Sequence, residues 1–108
     1  MKFLLIVTPR RDSSIPPAAV AGMLAAQRDW LHDRMTDGTV EAAYSFPAGG
    51  GCGIVNVDSH EALNQLIVDG PAFMISDYDV HALADLDTSL ANSVAALERV
   101  AGAVPQPT

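Results

Sequence analysis

An α+β fold built on a four-stranded antiparallel sheet is predicted by three observations. Short runs of large and β-branched residues alternate with period two, longer stretches carry apolar residues at helical spacing, and Gly, Pro and Asp clusters separate them. The resulting order is strand, helix, strand, strand, helix, strand, helix. At 108 residues the chain suits one domain, assigned to residues 1–104, with 105–108 (Pro105-Gln106-Pro107-Thr108) as a short flexible tail. Hydrophobic residues make up 49% and charged residues 18%, which excludes a disordered chain and demands buried surface.

Phe3 to Thr8 reads as a strand stopped by Pro9, which cannot donate to a ladder. It is apolar on both faces, with Phe3, Leu5 and Val7 on one and Leu4 and Ile6 on the other. Arg10 to Ile15 is a turn or loop in which Ser14 is the expected N-cap of a helix starting with Pro16 and Pro17. Val20, Met23, Leu24, Trp30, Leu31 and Met35 draw one stripe along this helix, expected to be core, and Gly38 stops it.

Thr39 to Phe46 alternates Val40, Ala42, Tyr44 and Phe46 against Thr39, Glu41, Ala43 and Ser45. Pro47 to Gly51 turns the chain into a return strand from Cys52 to Val57, completing a hairpin. Asp58 or Ser59 caps the next helix, Asp58 and Glu61 having the spacing of a capping box, and Leu63, Leu66 and Ile67 form its apolar face. Asp69-Gly70-Pro71 ends it. The fourth strand, about Asp77 to Leu83, sets Tyr78, Val80 and Ala82 against Asp77, Asp79 and His81. From Asp85 to Val100, Leu86, Leu90, Val94 and Leu97 keep helical spacing.

This order is the split βαβ arrangement of ferredoxin-like folds with an added C-terminal helix. Two main helices cover one sheet face and leave the other open. Because the first strand is apolar on both faces, the economical cover is a second copy, giving a dimeric α+β barrel, a homodimer or a higher homo-oligomer. The C-terminal helix folding across that face within one chain is the alternative.

Thirteen acidic residues against six basic ones, a formal charge of −7, oppose binding to nucleic acid or to an anionic membrane surface. The single cysteine, Cys52, excludes an intramolecular disulfide. The apolar run Phe3 to Val7 is too short for a membrane span and lacks the cleavage site of a signal peptide, so a cytoplasmic location is expected.

The segments Phe3 to Pro9, Gly38-Thr39, Val57-Asp58-Ser59-His60-Glu61-Ala62-Leu63, Pro71-Ala72-Phe73 and Asp77-Tyr78-Asp79-Val80 resemble the muconolactone isomerase family over roughly residues 2–83. The resemblance implies a dimeric α+β barrel that in some members assembles further. It also implies an isomerisation, with no cofactor, that moves a proton around an unsaturated lactone bearing a carboxylate. Members carry an Arg-, His- and Trp-rich strand after the Gly-Thr pair, whereas this chain has Val40-Glu41-Ala42-Ala43-Tyr44-Ser45. Arg10 and Arg11 are the cations available in its place.

A proton shift along a conjugated system needs a base, an acid and donors where enolate charge develops. The candidate catalytic residues are His81, Glu41, Asp79, Asp77 and Tyr44, and the candidate substrate-binding residues are Thr8, Arg10, Tyr78 and His60. The imidazole of His81 exchanges protons near neutrality, and a carboxylate does so if burial or a neighbouring carboxylate raises its pKa. Glu41 and His81 both lie on the more polar parity of their strands, which predicts a pocket on the open face shared with the dimer contact. No His or carboxylate pair has a recognised metal-binding spacing, so no metal is expected.

Three classes fit these residues. One is a cofactor-independent isomerase, or a related cyclase or lyase, acting on a small hydrophobic, oxygenated metabolite such as an unsaturated lactone or polyketide-like compound; a cofactor-free monooxygenase would reuse the same groups. The others are a non-catalytic small-molecule binding domain and an accessory oligomer with no cavity.

Overall fold

The computed structural model describes residues 1–10 and 14–103. Arg11 and the 105–108 tail lie outside them. The elements are β1 (Lys2–Pro9), α1 (Pro17–Thr36), β2 (Val40–Ser45), β3 (Gly51–Asn56), α2 (His60–Asp69), β4 (Ser76–Leu83) and α3 (Leu86–Ala103), with a 3-10 turn at Phe73–Ile75 before β4. All strand pairs are antiparallel in the order β2-β3-β1-β4, the ferredoxin-like arrangement.

Local chemistry sets the element ends. Pro16 is the N-cap of α1 in place of the expected Ser14, and Pro17 takes the first helical position, where a missing N–H is harmless. Gly38 ends α1 with φ +86°, a conformation that suits glycine. Ser59 caps α2, its Oγ accepting from Ala62 N–H at 3.0 Å, so the Asp58–Glu61 capping box does not form. Asp85 caps α3 by accepting from the N–H and the hydroxyl of Thr88, both at 2.9 Å.

Register divides the sheet residues between two faces. Phe3, Leu5 and Val7 pair with Val55, Gly53 and Gly51 on β3 and with Ala82, Val80 and Tyr78 on β4, and these form the helix-side face. The β4 alternation agrees with the period-two reading. That of β2 does not, because a bulge between Val40 and Ala42 inserts one residue. Past a bulge every side chain changes face: Ala43 and Ser45 join Val40 on the helix side, opposite Gly53 and Gly51, while Ala42 and Tyr44 pair with Ile54 and Cys52 on the open face.

The core is small and sits at one end of the helix-side face. Phe3, Leu5, Val40, Val55, Val57 and Leu63 form it, with Leu31, Ala43, Ala62, Leu66 and Ile67 packed around them. The α1 stripe does not become core as expected. No α1 residue is buried, and Leu24 and Met35 are exposed, because α1 stands off the sheet. α3 also buries nothing: Leu86, Leu90, Val94 and Leu97 are 54–68% exposed. The molecule measures 73 × 31 × 24 Å with a radius of gyration of 19.8 Å, against about 13 Å for a compact chain of this length.

Candidate active site

Between α1 and the sheet lies a cavity of about 820 Å³, within the usual range of roughly 300–1,000 Å³ for small-molecule sites. Sequence accounts for its size. On its sheet wall Gly51 and Gly53 stand beside Leu5 and Val7, so two alternate positions of β3 contribute no side chain. A Cβ on Gly53 would meet only the Ala42 carbonyl oxygen, at 3.4 Å, whereas one on Gly51 would overlap the Tyr44 carbonyl oxygen. Gly51 is required by close backbone approach, and Gly53 leaves open space. The opposite wall is the α1 stripe, with Val20, Leu24, Trp30 and Leu31 facing a ligand-sized gap.

The polar groups of the lining are few. Gln27 of α1 accepts from the buried Ala72 N–H at 3.0 Å through Oε1, fastening the helix to the segment before β4. Ser76, only 8% exposed, and Tyr78 follow on β4. Tyr78 stacks on Phe73 with ring centroids 6.5 Å apart and hydrogen-bonds with Ser76. Burial pushes the phenol pKa above its ordinary value, and the Ser76 bond pulls the other way. The phenol therefore stays protonated across the neutral range, a donor rather than a base. Arg10 is the cation of the described lining. Its Nη2 and Nε donate to Oδ1 of Asp77 at 2.7 and 3.1 Å, and its backbone N–H donates to Ile75 O at 2.7 Å.

Of the residues picked from sequence, Arg10, Tyr44 and Tyr78 contribute to the lining of this cavity, and Asp77 is paired with Arg10. This cavity lies on the helix side of the sheet, whereas the pocket was expected on the open face, along which the groups expected to share it are spread. Glu41 pairs with Lys2 at 3.1 Å. Ala42, Ile54, Leu4 and His81 form one row across the sheet, which puts Glu41 and His81 three strand spacings, or about 14 Å, apart. Tyr44, 71% exposed, and Asp79 end the next row on either side of Cys52 and Ile6, and Thr8 lies opposite Asp77. His60 is at the start of α2, with its ring edge-on to Phe3 at 5.8 Å, away from the lining.

Sequence reasoning missed Gln27, Ser76 and the role of Gly53. A signal existed for Gln27: it sits on the α1 stripe, four residues after Met23 and four before Leu31. Trp30, read as core, is half-buried against the cavity.

A family model described as muconolactone delta-isomerase matches residues 1–88. The chain belongs to that family. Among solved structures, a crystal structure of muconolactone isomerase superimposes with a TM-score of 0.72 at 21% identity, covering 79% of this chain and 90% of that one. This likeness establishes the shared fold. No curated protein matches the chain by sequence. The family match ends at residue 88, inside the first turn of α3, so most of that helix lies beyond the matched segment. Among the described residues no helix is long and apolar enough to cross a membrane.

Proposed function

We propose that the chain is a cofactor-independent isomerase that moves a proton within a small unsaturated lactone or polyketide-like acid bound between α1 and the sheet. The observation that carries this reading is an apolar cavity whose polar groups Arg10, Ser76 and Tyr78 gather at one end, in a chain of this family. The apolar walls exclude water and hold the ring. Tyr78 O–H donates to the carbonyl oxygen, and its hydrogen bond strengthens as enolate charge develops there. Asp77, outside the lining but bonded to Arg10 through Oδ1 alone, keeps Oδ2 for proton transfer beside Arg10. It takes a proton from the carbon next to the carbonyl; the C–H electron pair forms the enolate, and the proton returns to the far end of the conjugated system. The double bond migrates, Asp77 is regenerated, and nothing is oxidised or reduced.

The test is incubation of unsaturated lactone acids, muconolactone among them, in D₂O, followed by ¹H NMR. Enzyme-dependent deuterium uptake with double-bond migration is expected. Tyr78→Phe should slow it by roughly 10²–10³-fold, the value of one oxyanion donor. Exchange undiminished in Tyr78→Phe would remove the phenol from the mechanism. A binding domain without turnover is the second reading, favoured by the lack of any carboxylate or imidazole in the cavity's described lining. It predicts saturable binding with no exchange.

We also propose that the chain works as a homodimer or higher homo-oligomer. The open face carries Leu4, Ile6, Cys52, Ile54 and Ala42 on its central rows, with charged groups along its edges, and a second sheet of the same kind covers it as a barrel. The α3 stripe supplies further apolar surface for the assembly. Light scattering should give at least twice the chain mass, and a monomer mass would contradict the proposal.

A further inference from the structure

Gln27 is the polar residue on the inward stripe of α1, and it lines the cavity with Val20, Leu24, Trp30 and Leu31. Its amide is fixed from two sides. The Ala72 N–H can only donate, so the end of the amide that it meets at 3.0 Å is the oxygen Oε1, and turning the amide over would set donor against donor. Gly70 leaves the room this arrangement needs. A Cβ there would lie 3.2 Å from Oε1 and 3.5 Å from Nε2, and the backbone itself asks for no glycine, because φ at Gly70 is −63°. Gly70 also belongs to the cavity lining. With Oε1 committed, the other end of the amide is Nε2, which carries two N–H groups and has no hydrogen-bond partner among the described residues. It is not sealed in protein: among the described residues the closed-off side-chain atom that lacks a partner is Nε of Arg34. A donor held in one direction beside apolar walls is the kind of group that fixes how a ligand lies.

We infer that Gln27 is a specificity-determining residue of this cavity: its Nε2 donates to a neutral acceptor oxygen on the ligand's apolar body, and Ala72 and Gly70 together set the direction of that bond. Because a carboxamide does not ionise, Gln27 is neither the acid nor the base of a proton transfer; it orients the ligand between α1 and the sheet. The inference deepens the site proposed above and rests on the cavity being where the ligand lies, but not on turnover.

The test compares 4-phenyl-2-butanone with isopentylbenzene, which has the same shape with a methyl group in place of the carbonyl oxygen. Binding to the full chain is followed by the fluorescence of Trp30, the single tryptophan. Gln27→Glu is the decisive variant, since a carboxylate still accepts from the Ala72 N–H but has no hydrogen to donate. At pH 8 it should weaken the ketone at least about tenfold, the scale of a lost hydrogen bond that leaves acceptor facing acceptor, and keep the hydrocarbon within about twofold of wild type. As pH falls through the carboxyl pKa the side chain regains a donor, so ketone affinity should return in the variant while the wild type, measured in parallel, stays level. A merely structural Gln27 would show no such recovery. In a Tyr78→Phe background, where the phenol no longer competes for the ketone oxygen, the loss should be at least as large. Gly70→Ala should weaken the ketone in the same sense, because its Cβ displaces the amide. The Ala72 bond survives in Gln27→Glu, so its thermal melt should match wild type and exclude unfolding as the cause. If Gln27→Glu binds the ketone as tightly as wild type in both backgrounds, or weakens both ligands equally, the inference is overturned and the cavity reading survives. If neither ligand binds the wild type, both are overturned.

Discussion

Replacing Gly53 by valine tests the cavity without touching any polar group. Gly53 lies on β3 between Leu5 of β1 and Ala43 of β2, on the helix-side face, and its φ is not positive. A Cβ there meets one atom, the Ala42 carbonyl oxygen, at an ordinary contact distance of 3.4 Å. The Cβ can therefore be added without displacing the backbone, and the two methyl groups of valine are expected to extend into the cavity that Gly53 lines. Removing a strand-interior glycine should stabilise the fold by about 0.5–1 kcal/mol, raising Tm by roughly 2–8 °C for a chain of this size. The added isopropyl group occupies the sheet wall on which a ligand ring would rest, so affinity for 4-phenyl-2-butanone should fall at least about tenfold, equivalent to about 1.4 kcal/mol. Calorimetry for binding and a thermal melt for stability read the two effects separately. Gly51→Ala is the internal control, because its Cβ overlaps the Tyr44 carbonyl oxygen and Tm should fall. A Gly53→Val protein that binds the probe as tightly as wild type would refute the placement of the ligand, and one that melts well below wild type would refute the open space at Gly53.

Gln27→Ala leaves the buried Ala72 N–H without its acceptor; urea denaturation should show a loss of about 1–3 kcal/mol, and faster amide exchange along α1 should accompany it. The Thr88 hydrogen bonds hold the carboxyl of Asp85 below its ordinary value of 3.8. Its contribution to α3 is therefore fully present above that ordinary value and is lost as pH falls through the lower folded value; the Thr88 amide resonance should move with that titration, and an unmoved resonance would deny the cap. The raised phenol of Tyr78 has the opposite sign: its contribution is whole below the ordinary tyrosine range and is lost as pH rises through the folded value, so a phenolate absorbance titration should lose its latest step in Tyr78→Phe.

The strand and helix order was legible because period-two and helical patterns are local, and on β4, where no bulge intervenes, the facing of Tyr78, Val80 and Ala82 was legible too. On β2 it was not. The insertion at Glu41 depends on how β3 pairs with it, and one residue of slip carries Ala42 and Tyr44 to the open face. The α1 stripe shows a different limit: periodicity identifies the face of Val20, Leu24 and Leu31 that turns inward but not how far the helix stands from the sheet. That distance is set by Gly51 and Gly53 beneath it and by the Gln27 fastening. The same gap made a half-buried cavity residue of Trp30. The separation of Glu41 from His81 was not legible for a geometric reason, since a shared parity fixes the face of a sheet and says nothing of distance across its strands.

A crystal structure with a bound unsaturated lactone acid tests the central claim most directly. The account predicts the ring between Trp30 and the Gly51–Gly53 wall, its carbonyl within hydrogen-bond distance of the Tyr78 hydroxyl and its carboxylate on Arg10. A ligand on the open face, against Glu41, Asp79 or His81, would contradict it.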